Sequence, residues 1–365
     1  MTLVLTDEQE ELRSSVRKVI AAKCSLERVR SFVAGGGVDQ PQDLWTAMAQ
    51  QMGLAGIAIP DKYGGTGSGI REAAVVTEEL GRSLAVTPFL SSIVLGGQAL
   101  LALDDETARQ DYLPSIADGS VRMTYAWSDH DPTSKSGVRS GPAGLTGTVP
   151  FALDGLTADH VVVETVDAGG ELEFHLVSTT APGLTRTELV SADPTRSVAR
   201  LDFDGTPSRQ LRSVDPESTR SRIIDHAAHA LAAEQLGGII RSVELTVEYA
   251  KMRVQFGRSI GSFQAVKHRL ADMYSVVELA TGLVRDAGRA GDEDPAAFAL
   301  AARSAFAYCS RQYPRLAREM IQLHGGIAYT WEHDAHFYYK RAHASGQILG
   351  GPEPHEDVVA TLLGF

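Results

Sequence analysis

The sequence predicts a multidomain α+β protein with two helical regions around a small β region, because its hydrophobic pattern changes twice. Apolar residues recur at helical spacing from residue 6 to about 118, whereas short β-type runs separated by glycine turns follow to about 212. Helical spacing then returns to the end. A chain of 365 residues has room for two or three domains. We predict an N-terminal helical domain at 1–118, a middle β domain at 119–215 and a four-helix-bundle-like domain at 216–365.

The N-terminal domain opens with a helix-capping pattern. Thr6 is followed three residues later by Gln9, and this spacing predicts a capping box at the start of a helix. The glycine-rich stretch 60–69 then breaks the helical pattern. Helical spacing resumes over 70–80, and Gly81 is placed to end that helix as a C-cap.

The other two domains have equally distinct patterns. In the middle domain, β-type residues occur in short runs at 161–163, 171–177 and 198–203. In the C-terminal domain, the apolar face of 218–253 predicts one long helix. Near-heptad spacing over 262–289 predicts a second helix of a bundle, and a third is expected to end near residue 323.

Composition excludes several classes of protein. The net charge of −12 argues against nucleic acid as a partner, because a phosphate-binding surface needs clustered Lys and Arg. No apolar run reaches the length of a membrane span, and the N-terminus lacks the features of a signal peptide. Cys24 and Cys309 are far apart in the sequence and indicate neither a disulfide framework nor a zinc site. We therefore expect a cytoplasmic protein without a membrane or nucleic-acid partner.

The first unusual segment follows the predicted long helix. Arg253 can bind a pyrophosphate through two hydrogen bonds, and the face of the Phe256 ring can stack on an adenine. Gln264 can read polar edges of a ligand. We assign these residues and Gln255 as candidates for binding a nucleotide cofactor.

The second unusual segment contains Gln322, Leu323, Gly325 and Gly326. Paired glycines let the backbone approach a ligand closely and expose its N–H groups. Taken separately, a Gly pair is more often a simple turn, and an Arg after a helix is more often a surface residue. The two segments indicate a function only when they are taken together, in this order and at this separation along the sequence.

In that order, within a helix–β–helix chain, the two segments resemble the acyl-CoA dehydrogenase family, and the resemblance covers essentially the whole chain. It implies FAD as the cofactor, an acyl-CoA thioester as the substrate and an electron-transfer flavoprotein as the redox partner. In that family both segments contact the ADP half of an FAD that is seated mainly in the adjacent subunit. The resemblance therefore implies an obligate dimer or a dimer of dimers.

The same resemblance identifies the positions at which the family carries its catalytic Glu. In this sequence one branch's position is Leu349 and the other's is Ala227. Since neither side chain accepts a proton, we assign no catalytic residue. Glu234, Asp129 and His336 remain as alternatives for a base that has moved, and Glu234 on its Ala-rich helix is more simply a paired or solvated carboxylate.

The side of the chain that would hold its own flavin also departs from the family. Ser128 can replace a family Thr hydroxyl, so we assign it to cofactor binding, but the glycine turn that follows in the family is absent. Leu153 stands where a family strand offers the flavin a ring and a hydroxyl, and it has no hydrogen bond to give. His333 and His336 are three residues apart, yet no further ligands complete a zinc site, so no metal is assigned.

These losses favour one of three hypotheses. The chain resembles the non-catalytic partner subunit of bacterial α2β2 acyl-CoA dehydrogenases that act on CoA-linked steroid side chains. Such a subunit completes the FAD site of a homologous catalytic subunit. The alternatives are a self-sufficient homotetramer with a relocated base, and a scaffold or DNA-associated stress protein that kept the fold, against which the acidic charge weighs.

Overall fold

The computed structural model describes residues 3–36, 41–127 and 137–365, which follow the predicted order of helices, strands and helices. The α-helices are α1 (Asp7–Lys23), α2 (Leu26–Ala34), α3 (Gln42–Thr46), α4 (Ile70–Arg82), α5 (Gln98–Ala102), α6 (Glu106–Ala117), α7 (Pro216–Met252), α8 (Gln264–Glu293), α9 (Pro295–His324), α10 (Ala335–Gln347) and α11 (Glu353–Leu362). The strands are β1 (Met123–Ala126), β2 (Leu145–Leu153), β3 (His160–Val166), β4 (Leu172–Ser178), β5 (Leu184–Glu188), β6 (Val198–Thr206), β7 (Arg209–Leu211), β8 (Val254–Gln255) and β9 (Arg258–Ser259). The predicted fold class is confirmed.

The N-terminal domain contains α1 to α6. At the start of α1, the Gln9 amide N–H donates to Thr6 Oγ1 at 3.2 Å, and the Thr6 N–H donates to Gln9 Oε1 at 3.1 Å. The predicted capping box is therefore present. A π-helical segment, Phe89–Gly97, leads directly into α5 and packs against α7. Together with α4 it forms the face of this domain that meets the other two domains.

The middle domain consists of two small sheets. One sheet has the strand order β1-β3-β4-β7, in which β1 and β3 are parallel and the other neighbours are antiparallel. The other sheet has the antiparallel order β2-β6-β5. At its end, Leu153 of β2 pairs with Val198 of β6, which places the turn before β6 next to Leu153.

The C-terminal domain is built around α7, a single helix of 37 residues. Asp215 caps its first turn by accepting from the Ser218 N–H at 3.1 Å. Helices α8 and α9 pack along it, and α10 and α11 close the bundle against α9. Among the described residues, none of the helices has both the length and the apolar character that a transmembrane span requires.

Gly81 shows where the sequence prediction was wrong. It lies inside α4, which continues to Arg82, and it does not end the helix. A Cβ at Gly81 would lie 2.0 Å from the Glu234 main-chain oxygen of α7, and one at Gly237 would lie 1.9 Å from the Glu78 oxygen of α4. Glycine is needed at both positions because the two helix backbones cross in contact.

We expect Gly237→Ala to destabilise the chain by about 2–3 kcal/mol, because the added methyl group meets a main-chain atom that cannot turn aside. Gly282→Ala in α8 is the matched control, since a Cβ there has open space around it. That control should be neutral or slightly stabilising through helix propensity. Urea unfolding midpoints of the two variants measure the difference, and equal midpoints would contradict the close crossing.

Candidate functional site

A strained turn immediately follows α7. Strands β8 and β9 pair antiparallel and leave Phe256 and Gly257 as the turn between them. Their φ angles are 53° and 77°. Two successive positive φ angles are typical of a type I′ turn, which favours Asn-Gly over a bulky first residue. A left-handed backbone at a residue with a side chain costs about 1–2 kcal/mol.

The Phe256 side chain projects from this turn into solvent. Its exposed fraction is 91%, and its ring meets the Phe263 ring edge to face at 6.1 Å. The Arg258 guanidinium lies over the Phe263 ring at 4.1 Å. Arg253, Gln255 and Gln264 are also exposed. The turn therefore directs an aromatic ring into solvent, although its backbone conformation costs free energy. Because the ring is exposed, burial in this chain's core does not offset that free energy.

The second predicted segment lies at the end of α9. Gly325 has a φ of 66° and begins a 3-10 turn that runs to Tyr329. A Cβ at Gly325 or Gly326 would meet no atom within 4 Å, so the backbone is open to a ligand. Gln322 is exposed and Leu323 is half-buried. Tyr329 and Trp331, with exposed fractions of 76% and 70%, extend the same surface.

The structure brings the two segments together. The Tyr249 ring, one helical turn before Arg253, stacks on the His324 ring at 4.5 Å with an angle of 26° between their planes. His324 directly precedes Gly325, and the Arg253 N–H donates to the Tyr249 oxygen at 2.8 Å. Sequence reasoning missed Tyr249, although it lies in the last turn of the predicted long helix, four residues before Arg253.

The groups exposed on this surface are of the kinds that bind a dinucleotide. Arg253 supplies an exposed guanidinium for a pyrophosphate, and Phe256 supplies an exposed ring for an adenine. The open backbone at Gly325 and Gly326 can donate N–H groups to phosphate oxygens. These groups face outward from the chain. A dinucleotide bound here therefore needs a second surface, which these two segments do not supply.

The interior beside Leu153 is different. Leu153 lines a cavity where the three domains meet, together with Leu90 of the π-helical segment, Glu234 of α7 and Arg341 of α10. Its volume is about 40 Å³, which holds a few water molecules and no flavin ring. Leu153 itself is buried. This cavity, as the described residues line it, therefore does not fit a flavin ring.

Buried charges occupy this junction. Arg341 Nε lies 2.5 Å from Asp193 Oδ2, and Arg341 Nη1 lies 2.5 Å from Glu234 Oε1. Arg196 forms a second ion pair with Glu234. We call Asp193, Arg196, Glu234 and Arg341 the junction cluster; the exposed fraction of each of these side chains is at most 10%.

The junction cluster determines the state of Glu234. Burial alone would raise the pKa of this carboxyl, but the charges and hydrogen bonds of Arg196 and Arg341 outweigh burial and hold the pKa below its usual value. Glu234 is thus an ionised carboxylate held by two guanidinium groups. In the sequence, only Glu234 drew notice, as a charge on an Ala-rich helix. Its partners are distant from it in the sequence, and no sequence pattern indicated that they would contact it.

The two positions that resemble the family's catalytic Glu sites are fully buried. Leu349 and Ala227 each have an exposed fraction of 0%. On either side of Ala227, burial lowers the pKa of His226 and His229 to about 4, so both rings are neutral at neutral pH.

Of the two remaining alternatives for a base, His336 and Asp129, the structure describes His336. Burial also lowers the pKa of His336 to about 4, and its ring meets the Trp331 ring at 4.8 Å. Ser128 and Asp129 lie outside the residues that the structure describes. The assignment of no catalytic residue to this chain stays a prediction.

Comparison with known proteins identifies the family. Residues 6–120 match the acyl-CoA dehydrogenase N-terminal domain, and residues 218–360 match the acyl-CoA dehydrogenase C-terminal domain. The acyl-CoA dehydrogenase IpdE2 of Mycobacterium tuberculosis is 38% identical over 353 residues, which cover 95% of this chain and 94% of that protein.

Two solved structures share the fold. The ChsE4-ChsE5 complex from Mycobacterium tuberculosis superposes with a TM-score of 0.89 at 28% identity, covering 100% of this chain and 99% of the matched chain. A Tcur3481-Tcur3483 steroid ACAD variant superposes with a TM-score of 0.87 at 28% identity, covering 98% of each chain. With both helical domains and the β domain matched, the chain belongs to the acyl-CoA dehydrogenase family of FAD-dependent oxidoreductases.

Proposed function

We propose that this chain is the subunit of a heteromeric acyl-CoA dehydrogenase that completes the FAD site of a homologous catalytic subunit. The assembly is an α2β2 heterotetramer that oxidises the α,β bond of an acyl-CoA thioester, and its electrons pass to an electron-transfer flavoprotein. The substrate class is a CoA ester of a steroid side chain.

The observation that carries this proposal is the conformation of Phe256. An exposed ring on a strained turn is unfavourable for an isolated chain, because strain and hydration both cost free energy. Contact with a nucleotide or a neighbouring subunit offsets that cost. The adjoining Arg253 and the open Gly325–Gly326 backbone indicate that the contact includes the ADP half of FAD.

The filled domain junction supports the assignment of a non-catalytic role. A catalytic subunit needs a cavity for the flavin ring and a carboxylate that is free to take a proton. In this chain, the cavity beside Leu153 has a volume of about 40 Å³, and Glu234 is bound by two arginines. The partner subunit would therefore supply the base and the flavin pocket.

The relatives support the heteromeric assembly and the substrate class. Two matched structures are described as a ChsE4-ChsE5 complex and as a steroid ACAD of Tcur3481 with Tcur3483. Both descriptions name two different chains, and in each structure a matched chain has the fold of this one. Bound FAD supplies the acceptor for the hydride that leaves the β carbon. The residues of this chain bind and orient the ADP half and keep it at a fixed position.

The visible absorption spectrum tests the subunit role. We expect the chain produced alone to be colourless, and the chain produced with its catalytic partner to carry FAD that is bleached by an acyl-CoA substrate. Candidate partners are homologous chains encoded beside it. Yellow protein that is active without a partner would instead support a self-sufficient homotetramer. Flavin without thioester-dependent bleaching in any assembly would support a scaffold.

Arg253→Ala is expected to weaken FAD retention by the assembled complex roughly ten- to hundredfold, since it removes charge-assisted hydrogen bonds to the pyrophosphate. Flavin content after gel filtration measures the loss. Arg212→Ala is the control, because Arg212 is also exposed but precedes the opposite end of α7, roughly 55 Å away along the helix. Equal flavin content in both variants would reject the role of Arg253.

A further inference from the structure

We propose that Tyr249, His324 and His333 act as positioning residues that hold the two FAD-facing segments at a fixed separation. The inference rests on the proposed function. The Tyr249 and His324 rings stack at 4.5 Å, and the His333 ring follows at 4.7 Å from His324 with an angle of 58°. We call these three rings the ring column.

The ring column connects three separate parts of the chain. Tyr249 belongs to the last turn of α7, His324 is the last residue of α9, and His333 follows the Gly325–Tyr329 turn. The first FAD-facing segment begins four residues after Tyr249, and the second surrounds His324. A shift of either segment relative to the other therefore has to break a ring contact.

The central ring is itself held rigidly. His324 has an exposed fraction of 3%, and its Nδ1–H donates to the Met320 oxygen at 2.7 Å. Donation from Nδ1 fixes the neutral tautomer. Burial lowers the pKa of His324 and of His333, so both rings in contact are neutral at neutral pH and do not repel each other.

The far end of the loop is anchored to the N-terminal domain. Arg30 of α2 donates from Nη2 to the Glu332 main-chain oxygen at 2.7 Å and pairs with Asp334 Oδ1 at 2.5 Å. His333 Nδ1 accepts from the Ala335 N–H at 3.1 Å. The loop from Gly325 to Asp334 is thus fixed at one end by the ring column and at the other by α2.

Such support matters because the ligand contacts are short. A displacement of about 1 Å at Arg253 or Gly325 would lengthen hydrogen bonds to the pyrophosphate beyond their useful range. The side chains of Tyr249, His324 and His333 need not touch FAD themselves. They would act by keeping the hydrogen-bond donors of both segments at the spacing that the pyrophosphate requires.

Ring removal and ring retention separate positioning from general stability. Tyr249→Leu and His324→Ala remove a ring, whereas Tyr249→Phe keeps one. In the assembled complex we expect the ring-removing variants to release FAD roughly three- to tenfold faster, measured by the rise of flavin fluorescence. The ring-keeping variant Tyr249→Phe should stay within about twofold of the native rate. Tyr112→Leu, which removes an edge contact with His160 at 5.1 Å, should leave FAD release unchanged.

A second readout needs no flavin. In the chain alone, Tyr249→Leu and His324→Ala should accelerate amide hydrogen exchange in both 253–259 and 325–333, while Tyr249→Phe and Tyr112→Leu should not. Unchanged exchange in both segments would overturn the inference. If Arg253→Ala sheds FAD while both ring-removing variants keep it, the ring column is not a positioning device and the proposed function still stands. If Arg253→Ala also keeps FAD, the FAD-facing role fails and this inference fails with it.

Discussion

Glu234→Ala is expected to destabilise the folded chain by about 3–5 kcal/mol, because it leaves two buried guanidinium groups, Arg196 and Arg341, with Asp193 as their one remaining carboxylate and one positive charge uncompensated. Burying a guanidinium is tolerable only when its charge is paired. Removing one carboxylate of the junction cluster therefore lowers the free energy of unfolding by more than the lost ion-pair attraction, because a buried positive charge is left uncompensated. Urea unfolding of the purified chain, followed by circular dichroism, measures the change.

An exposed ion pair provides the matched control. Asp111 pairs with Arg209 at 2.7 Å, but its side chain has an exposed fraction of 51%. Asp111→Ala should cost about 0–1 kcal/mol, as is usual for surface pairs. The contrast between the two variants isolates the effect of burial from the effect of losing a carboxylate.

The same variant discriminates between a structural and a catalytic Glu234. A relocated base would be needed for proton abstraction, and its loss would abolish turnover while the fold remained stable. Glu234→Ala that folds with native stability but is inactive would therefore contradict the structural role and support the self-sufficient enzyme.

Phe256→Asn is expected to change stability and cofactor retention in opposite directions. Asn tolerates the left-handed backbone and forms the preferred Asn-Gly pair with Gly257, so the chain should gain up to about 1 kcal/mol of stability. The assembled complex should lose FAD, because an aromatic contact at the centre of an interface contributes about 2 kcal/mol or more. Thermal unfolding of the chain and flavin content of the complex measure the two effects.

Phe256→Ala separates the two causes. Alanine removes the ring but gains little from the left-handed turn, so we expect loss of FAD without the stability gain. If Phe256→Asn retained its flavin, the exposed ring would have no part in cofactor binding, and the observation that carries the proposed function would be lost.

The sequence predicted the fold better than it predicted the detailed contacts. Helical spacing over 218–253 follows from burial along one helix, and α7 indeed forms a single helix from Pro216 to Met252. Gly81 was misread because spacing alone does not distinguish a glycine that ends a helix from one that admits a crossing helix. The carbonyl that requires it lies in α7, more than 150 residues later.

In the candidate site, too, the sequence predicted the residue types but not the contacts between them. Residue type was enough to select Arg253, Phe256 and the Gly325–Gly326 pair, because their chemistry suits a nucleotide. Their proximity is visible only in the folded chain, where the Tyr249 and His324 rings of two helices stack. The junction cluster likewise combines residues from 193 to 341, and its members are recognisable only after the chain has folded.

Helix α7 has a mechanical consequence. It runs without interruption from Glu234 in the junction cluster to Met252, directly before Arg253, a span of roughly 27 Å. A continuous helix is stiff over this length, so its residues from Glu234 to Met252 move together. Loosening the junction cluster should therefore also displace Arg253, and a mutation deep in the chain would weaken contacts to a ligand that it does not touch.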